Sequence, residues 1–225
     1  MAGSSISIAR PPAAHRAPRL AAWAAVIAIA LLFVAKYVFR YYLHYNELAF
    51  TDPLRGAANY WQMRGWLLLH ITGGTAALLS GPTQFSTRLR QRSPRFHRTM
   101  GYVFLSGVGI GSLASFRLAL GTTFGWAWAL GMVSLGLAWI ATSGMALYAI
   151  KLRQFQVHKE WMVRAYVVTF AFVTFRLLND FGPTSRLQPD SDRANAFIWA
   201  SWALPLLAAE LIMQFRKLRR AAAPA

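Results

Sequence analysis

The chain has 225 residues, 56% of them hydrophobic and only 14% charged, and its mean hydropathy is +0.35. A soluble domain carries about a quarter charged residues; here the deficit is gathered into long uncharged runs, which excludes an ordinary soluble domain and points to an integral membrane protein. The formal charge of +17 punctuates those runs instead of collecting on one recognition element, so it suits loops facing anionic lipid and excludes nucleic acid as a partner, while the lack of cysteine excludes disulfides, thiolate metal sites and iron–sulfur clusters.

A span needs about 20 mostly apolar residues, and six segments qualify in chain order. The first runs from Leu20 to about Phe39. Its flank, with Arg10, Arg16 and Arg19, resembles the start of a signal peptide. The apolar run continues into Lys36-Tyr37-Val38 without a small-x-small exit site, which predicts a retained helix. The second covers about Tyr60 to Ser80 and contains His70. The third runs from about Thr99 to Leu120, with Arg117 near its end. The fourth, about Phe124 to Ile150, carries no charge. The fifth, about Trp161 to Phe181, holds Arg164 and Arg176 and is preceded by His158. The sixth, Ala194 to Phe215, contains Pro205 and Glu210. Gly121, Gly125 and the tract Gly182-Pro183 mark breaks between spans.

Counting Lys and Arg in alternate loops gives 16 on the side of the two tails and 8 on the other, which also has five of the seven acidic residues. The positive-inside rule therefore puts both termini in the cytoplasm. The expected fold is all-α, a polytopic transmembrane bundle of about six spans. Residues 1–19 form an N-terminal tail, 20–216 the membrane domain and 217–225 a second tail. The loops leave no room for a soluble catalytic module.

Ionisable side chains inside spans are costly unless they face the bundle interior, a cavity or the interface, so each is a functional candidate. Arg164 and Arg176 lie about 18 Å apart at 1.5 Å per residue, so either could snorkel to the headgroups instead. Arg176 follows His158 by 18 residues, five helical turns, and Thr169 falls near the same face. That stripe suggests a lined cavity, with Arg117 at the depth of Arg176 as a second cation. His70 is the deepest ionisable group. Gly73 and Gly74, three and four residues later, would admit a neighbouring backbone or a flat ligand. His70 reads either as a neutral, hydrogen-bonded core histidine or as a ligand or proton-relay group. His97 follows a cluster of arginines at the start of span three and is either interfacial or a ligand. Glu210 finds its natural ion-pair partner in Arg164.

Three stretches, "HITGGTAALLSGPTQF", "HRTMGYVFL" and "HKEWMVRAYVVTFAFVTFRL", resemble a bacterial family of predicted membrane proteins named domain of unknown function 2306. The resemblance covers about residues 60–180. It implies that His70, Gly73, Gly74, His97, Arg98, Gly101, His158, Trp161, Met162, Arg164, Tyr166 and Arg176 are the characteristic positions. It implies a fold and a set of residues, not a reaction. A fainter likeness to di-haem b-type membrane cytochromes would hold one haem iron between His97 and His158. Span four has no histidine to partner His70, so a second such haem has no ligand pair.

Three functions stay open. One is a small membrane redox protein using haem b or quinone, with His70, His97 and His158 as ligands or proton carriers. Another is a small-anion or proton-coupled transporter using Arg117, Thr169 and Arg176. The third is a structural or sensory membrane subunit without chemistry of its own. The bilayer is the one assured partner, and the sequence leaves the oligomeric state open.

Overall fold

A backbone in lipid must satisfy its N–H and C=O groups internally, so apolar runs of span length become helices. A computed structural model describes residues 16–44, 51–52, 58–181 and 190–222. Helix α1 (Arg16–Phe33) passes through a π-helical stretch, Val34–Val38, into α2 (Phe39–Leu43). Two short strands, β1 (Thr51–Asp52) and β2 (Ala58–Asn59), pair antiparallel, with Thr51 opposite Asn59. A 3-10 turn, Trp61–Met63, leads into α3 (Arg64–Gln84) and the short α4 (Thr87–Arg92). The remaining helices are α5 (Pro94–Leu120), α6 (Trp126–Lys151), α7 (Phe155–Thr169), α8 (Ala171–Phe181) and α9 (Asp190–Ala221). The described chain is an all-α bundle apart from that strand pair.

Five helical segments are long and apolar enough to cross a membrane: Leu20–Leu43, Pro94–Leu120, Trp126–Lys151, Phe155–Phe181 and Asp192–Ala221. The expected second span, now α3, is not one of them. Its 21 residues give about 30 Å of length, but His70, the threonines and the glycines dilute its apolarity. The reason is positional: several of these residues face protein instead of lipid, with Gly73, Gly74, Ser80 and Gly81 all buried. The turn signal at Gly182-Pro183 and most of the N-terminal tail lie outside the described residues.

Helix ends overrun the apolar boundaries. α5 starts at Pro94, where a missing N–H costs nothing, and so takes His97 and Arg98 into its first turns. α9 runs on to place Arg219 and Arg220 in its last turn, where cations suit the helix dipole. Gly125 precedes α6 with φ of 86°, a conformation that glycine reaches without strain. The fifth span is interrupted at Phe170, whose N–H is shared between Tyr166 O and Val167 O at 3.1 Å each. Beside it Thr169 Oγ1 donates to Ala165 O (2.8 Å) and Thr174 Oγ1 to Phe170 O (3.1 Å). Back-bonding of this kind bends helices.

The tightest seam joins α3 to α5, which pack together more extensively than any other pair. A Cβ added at Gly73 would lie 2.7 Å from both Gly107 O and Gly111 N, and one at Gly107 would lie 2.6 Å from Gly73 O. Small residues four apart on both helices therefore let the backbones touch, which is how helices associate where lipid supplies no hydrophobic drive. Pro82 has no N–H to give Leu78 O, and the Tyr166 hydroxyl donates to that carbonyl instead (3.1 Å). Gly81 leaves the room in which the Tyr166 ring lies. The main core gathers Phe104, Val108, Trp139, Val168 and Phe197 from α5 to α9. Against it α1 rests through a small cluster of Ala30, Val34, Val38, Leu78 and Val173.

Candidate functional site

The glycine seam fixes His70. Its Nδ1 lies 2.8 Å from Gly111 O across the α3–α5 contact. A carbonyl can only accept, so Nδ1 carries the proton and Nε2 is left as an acceptor. The ring stands edge-on to Phe172 at 4.8 Å between centroids.

His70 is one wall of a cavity of about 160 Å³ lined from α1, α2, α3, α5, α6, α8 and α9. Aromatic and aliphatic side chains dominate it, among them Tyr37, Tyr41, Trp128, Phe172 and Phe175. Gly74 keeps the wall beside Phe172 flat, since an added Cβ would already touch that ring at 3.5 Å. Among the described residues Arg176 supplies the one lining cation. Its guanidinium sits 5.6 Å from the centre of the Tyr37 ring. One turn on, Asp180 accepts from Lys36 Nζ at 2.8 Å and from the Tyr37 hydroxyl. The π-helical stretch carries both Lys36 and Tyr37 and so ties α1 to α8 at the Arg176 end of the cavity. Such π segments often mark functional positions.

The other expected residues are placed elsewhere. Thr169 is fully buried and accepts a hydrogen bond from Trp139 Nε1 (2.9 Å), locking α7 to α6. His158, in the first turn of α7, donates from Nδ1 to Ala146 O (2.8 Å). His97, in the first turns of α5, has a buried Nδ1 without a hydrogen-bond partner among the described residues. Arg90 and His158 lie near it. Both histidines lie at the opposite end of the bundle from the cavity, which takes Leu118 from the end of α5 and Arg176 from α8. Arg117 is exposed and does not line the cavity. Of the stripe His158, Thr169 and Arg176, only Arg176 reaches it. Arg164 donates from Nε to Glu210 Oε2 at 2.8 Å, with a second contact through Nη2, and stacks on Trp161 at 4.7 Å. Among the described residues no three His, Asp or Glu side chains gather as a metal site would need.

Sequence reasoning read Lys36 and Tyr37 only as the continuation of the first apolar run and Asp180 only as a carboxylate near Arg176, and did not join them. A lysine followed by a tyrosine deep in an apolar run is itself the sign of an intramembrane partner; its carboxylate lies 144 positions away.

A helical bundle with several apolar spans and a largely apolar cavity between its helices defines a membrane protein with a ligand-sized space towards one end. Within that class, the chain belongs to the family described as predicted membrane protein (DUF2306), whose profile matches residues 67–213. The match reaches past the expected limit near residue 180 and takes in most of α9. No curated protein and no solved structure matches the chain.

Proposed function

We propose that this is a multi-pass protein of the bacterial inner membrane, with both termini in the cytoplasm, that binds a quinone headgroup between His70 and Arg176. The observation that carries this reading is the cavity lining: flat aromatic walls, one acceptor nitrogen and one guanidinium. A planar ring fits beside Gly74 and Phe172. Arg176 donates to one ring oxygen, and His70 Nε2 accepts from the hydroxyl of a reduced ring or takes up its proton. The apolar walls favour such a ring over a small anion, whose lost hydration a single arginine would have to replace.

The test is binding of a short-chain benzoquinone to the purified protein, followed by quenching of tryptophan fluorescence, since Trp128 lines the cavity. His70→Phe and Arg176→Gln should each weaken binding about tenfold or more, as expected for a lost hydrogen bond to a charged or buried group, while Arg117→Gln leaves it unchanged. Equal affinity in all three variants would refute the site. A periplasm-only reporter fused to the C-terminus should stay inactive; activity there would reverse the orientation.

The unpartnered Nδ1 of His97 near His158 favours one other reading, a haem held by those two residues. It requires red protein with a Soret band that His97→Ala and His158→Ala each abolish. Colourless, folded protein from haem-replete cells sinks it.

A further inference from the structure

A ring that fits about 160 Å³ leaves no room for a long chain attached to it. A second space of about 300 Å³ lies on the lipid side, between α1 and α3, walled by Ala30, Leu31, Leu79 and Pro82. Leu78, 2% exposed, is a wall of both spaces. The groove and the cavity are therefore neighbours divided by that one side chain, and Leu31 and Leu79 open the groove to lipid at 53% and 41% exposure. Its α1 wall faces mostly outward, with only 17% of that helix's most apolar window buried. Polar ties anchor α1 and α2 beside the apolar contacts of Trp23, Ala30 and Val34: Lys36 and Tyr37 to Asp180, and the Tyr42 hydroxyl to Thr72 Oγ1 at 2.6 Å.

We infer that the ligand carries a long apolar chain and enters from the bilayer between α1 and α3, its ring passing Leu78 into the cavity and its chain staying in the groove. This rests on the headgroup reading above and names the ligand class within it: a prenylated or alkylated ring. The chain adds little affinity, because it leaves one apolar surrounding for another and lipid gives no hydrophobic reward for the move. Its role is to orient the ring. The decisive measurement therefore reads position, not binding strength.

A prenylated benzoquinone bearing a diazirine on its chain is bound to the full-length protein in lipid nanodiscs and photolysed, and the adducts are mapped by mass spectrometry. Adducts should fall on residues 27–31 of α1 and 78–82 of α3 and disappear under excess unlabelled prenylquinone. Leu31→Trp and Leu79→Trp fill the groove from exposed positions and leave the core untouched. They should lose the adducts while binding a chainless benzoquinone as the parent protein does. Adducts scattered without competition over other lipid-facing residues, such as Leu113, Leu137 and Leu211, would overturn the groove while the headgroup site stands. Failure of the chainless quinone to bind the parent protein would remove the headgroup site and this inference with it.

Discussion

Replacing Gly107 with alanine should force α3 and α5 apart. The new Cβ would lie 2.6 Å from Gly73 O and 2.9 Å from Ala77 N. Both are backbone atoms and cannot swing aside as a side chain end would. Comfortable carbon contacts lie near 3.5 Å or beyond, so the helices must separate by roughly 1 Å along the seam. Overpacking of this kind costs about 1–3 kcal/mol. The same movement stretches the 2.8 Å bond from His70 Nδ1 to Gly111 O past useful hydrogen-bond length, adding about 0.5–1.5 kcal/mol. The expected loss is about 2–4 kcal/mol, together with a His70 ring no longer fixed in orientation. The control is Gly109 on the same helix, where an added Cβ meets nothing within 4 Å. There alanine should stabilise by up to about 1 kcal/mol, because glycine loses more backbone freedom on folding. Reversible unfolding in mixed micelles of rising dodecyl sulfate content measures both. Shifts of the same sign, or a Gly107→Ala protein as stable as the parent, would refute the close-seam argument.

The Arg164–Glu210 pair should show coupling: Arg164→Ala lowers folded yield, Glu210→Gln is tolerated, and the double variant recovers part of the loss, with a coupling energy of about 0.5–3 kcal/mol. Strictly additive losses would dissolve the pair. Thr169→Val deprives the buried Trp139 Nε1 of its acceptor and should cost about 1–3 kcal/mol in the same unfolding assay; Thr169→Ser should restore most of it, and a neutral Thr169→Val would show the bond to be idle. In this cysteine-free chain, Arg176→Cys should react with a small water-soluble thiol reagent, while Thr169→Cys, fully buried, stays unlabelled. Equal labelling at both positions would contradict the described packing.

Much of the architecture is legible along the chain because hydropathy accumulates locally. Five of the six expected spans recur as helices apolar and long enough to cross a membrane. The remaining one, the expected second span, is legible as the helix α3 but not as a lipid-facing one, since its glycines and histidine serve contacts to α5, α7 and α8. The Arg164–Glu210 pair could be anticipated because an intramembrane carboxylate needs a cation at its depth, and few are available. The His158–Thr169–Arg176 stripe shows the limit of that reasoning. Even spacing puts residues on one face, but each meets a different neighbour: a carbonyl of α6, an indole of α6, and the cavity.

The sequence by itself determined the class of the molecule, its helices and the polar residues that had to face inward, because each follows from what an apolar solvent does to a local run of chain. The tertiary structure alone decided which of those residues share a space. That depended on Gly73, Gly107 and Gly111 bringing two backbones into contact, on the interruption at Phe170 and on the π-helical stretch presenting Lys36 and Tyr37 to Asp180. Each is a meeting of surfaces far apart in sequence, and no local run of residues encodes the partner it will touch.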